Sequence, residues 1–98
     1  MEFLVTMTTQ VPDDTPEPAV EGVRVLEAAR ARELAAAGHL LRLWRPPLQE
    51  DRWHTVGLFS AEDAWHLEKV LASMPLHIWR TDVVTPLWRH PNDPSAVR

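Results

Sequence analysis

Residues 39–59, His39-Leu40-Leu41-Arg42-Leu43-Trp44-Arg45-Pro46-Pro47-Leu48-Gln49-Glu50-Asp51-Arg52-Trp53-His54-Thr55-Val56-Gly57-Leu58-Phe59, decide the architecture of this 98-residue chain. Residues 39–46 and 52–59 read as two short strands. Between them, Pro46, Pro47 and the polar 49–51 stretch form a hairpin connection, because proline cannot donate to a strand ladder and polar residues favour turns. A hairpin here puts two antiparallel neighbours in mid-chain.

On both sides of this hairpin the pattern becomes helical. Residues 19–37 are rich in Ala, Leu, Glu and Arg, which favour helix. Gly38 follows where a left-handed cap belongs. After the hairpin, Ser60-Ala61-Glu62-Asp63 resembles a capping box and predicts a helix over 61–74, ended by Pro75. Further out, residues 2–9 alternate Phe3, Val5 and Met7 against Leu4, Thr6 and Thr8, the period of a strand. Residues 10–18, with Pro12, Pro16 and Pro18, form a loop. A fourth strand lies within 76–88, with Pro86 near its end, and residues 89–98 form an extended tail.

The order is therefore βαββαβ, an α+β ferredoxin-like arrangement in one domain spanning 1–98. It predicts an antiparallel four-stranded sheet with both helices on one face. Apolar residues occupy both faces of several strands, so the uncovered face needs a second subunit or a ligand. Two such sheets stacked face to face make a dimeric α/β barrel. Trp44, Trp53, Trp65, Trp79 and Trp88 are too many for so small a core, which assigns some to a pocket or an interface.

Composition excludes several classes of function. The net charge is −4 and the positive residues are scattered, which argues against a nucleic-acid partner. With no cysteine, disulfides, thiolate nucleophiles and Cys-based metal sites are absent. No signal-like start is present and no apolar run approaches the roughly 20 residues of a membrane helix, so a cytoplasmic protein without a membrane partner is expected. His39, His54, His66, His77 and His90 form no HxH or HExxH spacing, so no metal site is expected. His66 lies opposite the stripe of Leu67, Val70, Leu71 and Met74, on the solvent side. Gly22, Gly38 and Gly57 are isolated and form no phosphate loop.

The first helix carries the best chemical clue. At about 100° per residue, Val20, Val23, Ala31 and Leu34 share a stripe, with Glu27 in its middle and Arg24 at its edge. Glu27 then faces the sheet. An unpaired carboxylate there has a raised pKa, which suits a general acid/base. The alternative is an internal ion pair with Arg24, three residues earlier. At the end of the second strand, Leu43 and Arg45 share one face and Trp44 takes the other. An Arg near a buried acid suits a substrate carboxylate; the alternative is a surface Arg covering a Trp with its stem. His54 and His77 sit on predicted strands.

Gly38, Leu43-Trp44-Arg45, Phe59, Met74-Pro75-Leu76 and Arg89-His90-Pro91, in this order and spacing, resemble the muconolactone isomerase family, as do the strand of Phe3, Val5 and Met7 and the loop bearing Pro12. The resemblance runs nearly end to end. It implies a dimeric α/β barrel assembled into a larger ring, typically a decamer. It also implies a double-bond shift in an unsaturated lactone of aromatic degradation, with no cofactor or metal. Close relatives eliminate chloride. The family's Lys-x-x-Glu falls on Arg24 and Glu27, and its Leu-Trp-Arg gives Arg45. Two stretches depart from the family. Tyr-x-Asn-x-Ser is replaced by Trp53-His54-Thr55-Val56-Gly57, and Pro-Leu-Phe-Pro-Tyr-Met-Asp by Pro75-Leu76-His77-Ile78-Trp79-Arg80-Thr81.

The expected enzyme is an intramolecular isomerase acting on a small lactone or related acid. Glu27 moves the proton, Arg24 and Arg45 bind the carboxylate and the developing enolate, and Trp53, His54, His77 and Trp79 shape the pocket. Two alternatives use the same scaffold. One is a tailoring isomerase, cyclase or dehalogenase for a larger aromatic or polyketide-like substrate. The other is a non-catalytic ligand-binding or assembly module.

Overall fold

A strand with alternating burial organises the molecule. In the computed structural model, which describes residues 1–47 and 53–96, β1 (Glu2–Thr9) is followed by α1 (Glu17–Ala36), β2 (Leu40–Trp44), β3 (Trp53–Ser60), α2 (Ala64–Ala72), a 3-10 turn (Pro75–Trp79), β4 (Arg80–Leu87) and a last 3-10 turn (Pro94–Ala96). The four strands form one antiparallel sheet in the order β2-β3-β1-β4. This is the predicted ferredoxin-like arrangement.

Register decides which residues face the helices. Phe3 lies opposite Phe59 and Pro86, Val5 opposite Gly57 and Val84, and Thr9 opposite Trp53 and Arg80. Phe3, Val5, Met7 and Phe59 are buried with Leu34 of α1 and Leu67, Val70 and Leu71 of α2. Each such side chain contributes about 1.5–3 kcal/mol by leaving water. The other face of the sheet carries Trp44, Val83 and Leu87, all exposed.

The helix ends follow local chemistry. α1 begins at Glu17, with Pro16 at its N-cap and Pro18 in its first turn. Proline suits the first turn, where an N–H has no partner within the helix. At the other end Gly38 adopts φ 85°. The His39 N–H donates to the Leu34 carbonyl at 2.9 Å and the Gly38 N–H to Ala35 at 3.1 Å, which together make a Schellman cap.

Three expected boundaries are corrected. Ser60 does not cap α2: it ends β3, opposite Glu2, and its N–H donates to the His39 carbonyl at 2.8 Å. Asp63 caps instead, its Oδ1 accepting from the His66 N–H at 2.8 Å. Residues 75–79, expected to open the fourth strand, form a 3-10 turn, and β4 begins only at Arg80. β2 ends at Trp44, so Arg45 lies beyond it. Of the expected hairpin connection, Pro46 and Pro47 follow β2 outside any strand, while the 49–51 stretch and the strand start at Arg52 lie outside the described residues. No helix among those described is long and apolar enough to cross a membrane.

Candidate active site

At the Thr9 end of the helix-facing side, the sheet, α1 and the 3-10 turn border a half-open cavity of about 210 Å3. Met7, Leu43, Trp53, Met74 and Leu76 form apolar walls, and Thr9, Thr55, Arg24, Glu27 and Arg80 supply polar groups.

Glu27 projects from the sheet-facing stripe of α1 and its side chain is 16% exposed. One carboxylate oxygen, Oε1, accepts from the Leu76 N–H at 2.9 Å. The first N–H groups of a helical turn have no partner of their own. Pro75 supplies none, and Glu27 takes the one from Leu76. The other oxygen, Oε2, lies 3.6 Å from Arg80 Nη1.

The Arg80 side chain is buried, with 2% of it exposed. Its Nε donates to Asp82 Oδ1 at 2.6 Å and its Nη2 to Asp82 Oδ2 at 3.1 Å. Nη2 also reaches the Leu71 carbonyl at 3.3 Å. Strand geometry makes this arrangement: residues two apart share a face, and the register sets Arg80 opposite Thr9 and Asp82 opposite Met7. The guanidinium thus sits between two carboxylates. A forked ion pair is the form in which burying these charges is tolerated.

A carboxylate fixed in this way, on an apolar cavity wall, can take a proton from an acidic carbon and return it. Among the described residues no cluster of three His, Cys, Asp or Glu side chains is placed to hold a metal ion.

The structure gathers Glu27, Arg24 and Trp53 at this cavity. Arg24 is exposed at its mouth, its guanidinium carbon 5.1 Å from the centre of the Trp53 ring. The ion pair of Glu27 is with Arg80, not with Arg24.

Four other expected residues lie elsewhere in the chain. Arg45 is exposed past the end of β2. His54 follows Trp53 on the strand and so takes the opposite sheet face, where its Nδ1 lies 3.1 Å from Thr8 Oγ1. His77 is exposed on the 3-10 turn. Trp79 borders a separate open groove with Gln10, Pro12 and Ile78. His66 is half-buried rather than solvated, packed edge-on against His39 with ring centres 5.0 Å apart.

Sequence reasoning missed Arg80, Asp82, Thr9 and Thr55. The available signal was an Arg and an Asp two apart on a strand whose other residues are uncharged.

Comparison with known proteins agrees with this architecture. The family model described as Muconolactone delta-isomerase matches residues 1–93. Muconolactone Delta-isomerase 1 of Acinetobacter lwoffii is 29% identical over 92 residues, covering 94% of this chain and 93% of its own. A crystal structure of muconolactone isomerase matches with a TM-score of 0.85 and 26% identity, covering 96% of this chain and 95% of that one. The 5-chloro-2-hydroxyhydroquinone dehydrochlorinase of Burkholderia phenoliruptrix, solved with 2,5-dihydroxybenzoquinone, has a TM-score of 0.63 and 13% identity over 92% of this chain and 95% of its own; it shares the fold alone. With the family match running from the first strand through the His90 segment, this chain belongs to the muconolactone isomerase family.

Proposed function

We propose that this protein moves a double bond in a small unsaturated lactone bearing a carboxylate, with Glu27 as its acid/base. Its family makes it an intramolecular isomerase. The observation that carries the mechanism is the fixed Glu27 carboxylate on the wall of a compact cavity, tethered through Oε1 to the Leu76 N–H.

In this mechanism a Glu27 oxygen takes the proton from a carbon made acidic by the lactone carbonyl. The C–H bond breaks, an O–H bond forms, and the electron pair passes into the conjugated system as a dienolate. Glu27 then returns the proton two carbons away, so no proton or electron is gained or lost. Arg24, stacked on Trp53 at the mouth, binds the substrate carboxylate in this reading. The small cavity favours a compact lactone over a larger aromatic or polyketide-like substrate.

General acid–base help of this kind is worth about 10²–10⁴-fold in rate. Muconolactone followed by NMR is the direct assay. Glu27→Gln is expected to lose turnover by about that factor with an unchanged circular dichroism spectrum. Full activity in that variant would remove Glu27 from the mechanism. No conversion of muconolactone, with tight binding of a bulky aromatic, would favour the tailoring alternative.

The bare sheet face supports a second copy as partner. Val83 is 61% exposed and Trp44 41%, and both lie on the side away from the helices. A homodimer stacked through these faces, with assembly into a larger ring, is the proposed working form. Sedimentation velocity should show an oligomer that Val83→Glu weakens; a wild-type monomer at micromolar concentration would refute it.

A further inference from the structure

Arg80 has a capacity that its structural role does not use. Three of its hydrogen-bonding contacts to oxygen come from Nε and Nη2, to Asp82 and Leu71. Among the described residues, the remaining nitrogen, Nη1, has only the Met74 sulfur within hydrogen-bond distance, at 3.8 Å. A thioether is a weak acceptor. Glu27 Oε2 stands 3.6 Å away, an ion-pair distance rather than a hydrogen bond. A buried cationic N–H without an oxygen acceptor is under-satisfied, and Arg80 lines the same cavity as Glu27.

We infer that Arg80 is a catalytic residue, its Nη1 donating to the lactone carbonyl oxygen as that oxygen takes up enolate charge. The inference rests on the proton-shift reading above and adds a group to it. Of the two carbons between which the proton moves, the one next to the lactone carbonyl is separated from the carbonyl oxygen by one carbon. A base and a donor 3.6 Å apart can therefore serve them together, with the donor about 2.7–3.1 Å from the oxygen.

Electrostatics supports the same pairing. Before transfer the negative charge is on Glu27, beside Arg80. After transfer Glu27 is neutral and the charge is on the enolate oxygen, beside the same guanidinium. Asp82 holds that guanidinium by two hydrogen bonds, so it need not reorient while the charge moves.

The test uses the full-length chain and tetronate, the stable enolate anion of a five-membered lactone, titrated by calorimetry. The informative variant is Arg80→Met with Asp82→Val. It removes the buried pair together and so leaves no unpaired Asp82. Tetronate is expected to bind this variant about 10- to 100-fold more weakly than wild type. Glu27→Gln should bind it at least as well as wild type, having lost a repelling charge. In turnover, the double variant should lose about 10²–10³-fold in kcat, with KM little changed. If the double variant does not fold, Arg80→Lys replaces it, since it keeps the charge but loses the fork; weaker tetronate binding is again expected. Equal binding by wild type and the folded variant, or no binding by wild type, overturns the inference. Failure of the proton-shift reading would show separately, as full turnover by Glu27→Gln.

Discussion

One side of the sheet has two ends that differ in how they are covered. At the Phe3 end, Phe3, Phe59 and Leu67 are buried against Leu34 and Val70. At the Thr9 end, the same strands present Thr9, Trp53, Thr55 and Arg80 to a cavity. The difference comes from the cover. α2 has only nine residues and packs its apolar stripe into the closed end. Beyond it, the 3-10 turn and the Glu27 stretch of α1 bridge the sheet less completely. The closed end supplies stability through apolar burial. The open end accepts buried charge, each carboxylate there being held by Arg80 or a backbone N–H.

The contrast can be broken by substitution. The largest effect expected is on activity, at the open end: Glu27→Gln should cost about 10²–10⁴-fold in turnover. The same variant should change urea-unfolding stability by under about 1 kcal/mol, because the amide oxygen can still accept from the Leu76 N–H. A large stability loss would show that the open end also holds the fold together. At the closed end, Phe59→Ala should cost about 3–5 kcal/mol in the same urea experiment. Its folded fraction should retain turnover; a loss well below that range would mean that this end is not the structural core.

Gly57 sharpens the boundary between the ends. A Cβ there would stand 2.6 Å from the Phe59 ring, 3.0 Å from Met7 Cε and 3.3 Å from Leu43 Cδ2. Phe59 belongs to the closed end, whereas Met7 and Leu43 line the cavity. Gly57→Ala should therefore cost about 1–3 kcal/mol by overpacking and also raise KM by crowding the cavity. An unchanged KM would mean that Met7 and Leu43 yield without narrowing it.

Much of this fold was legible because it depends on local pattern. The alternation in residues 2–9, the glycine after the first helix and the proline after the second each act through the backbone of a few neighbours. The same locality explains why Glu27 was found: its place on α1 follows from helical spacing alone. The boundaries that failed depended on competition. Ser60 had the chemistry of a cap, but its backbone was already engaged by His39 across the sheet. Residues 75–79 had strand-like apolar content, yet they begin with a proline, and the Leu76 N–H finds its acceptor on α1.

The site divides in the same way. The βαββαβ order, the apolar stripe of α1 and the acid within it follow from local pattern. The acid's partner does not. Arg24 is three residues from Glu27, within helical reach, but it extends over Trp53. Arg80 is 53 positions further along the chain, yet strand register and the 3-10 turn bring its Nη1 to 3.6 Å from the carboxylate. Helical periodicity fixes the direction of a side chain. Its ionic partner is fixed by pairing across strands and by packing between layers, which depend on residues far apart in the sequence.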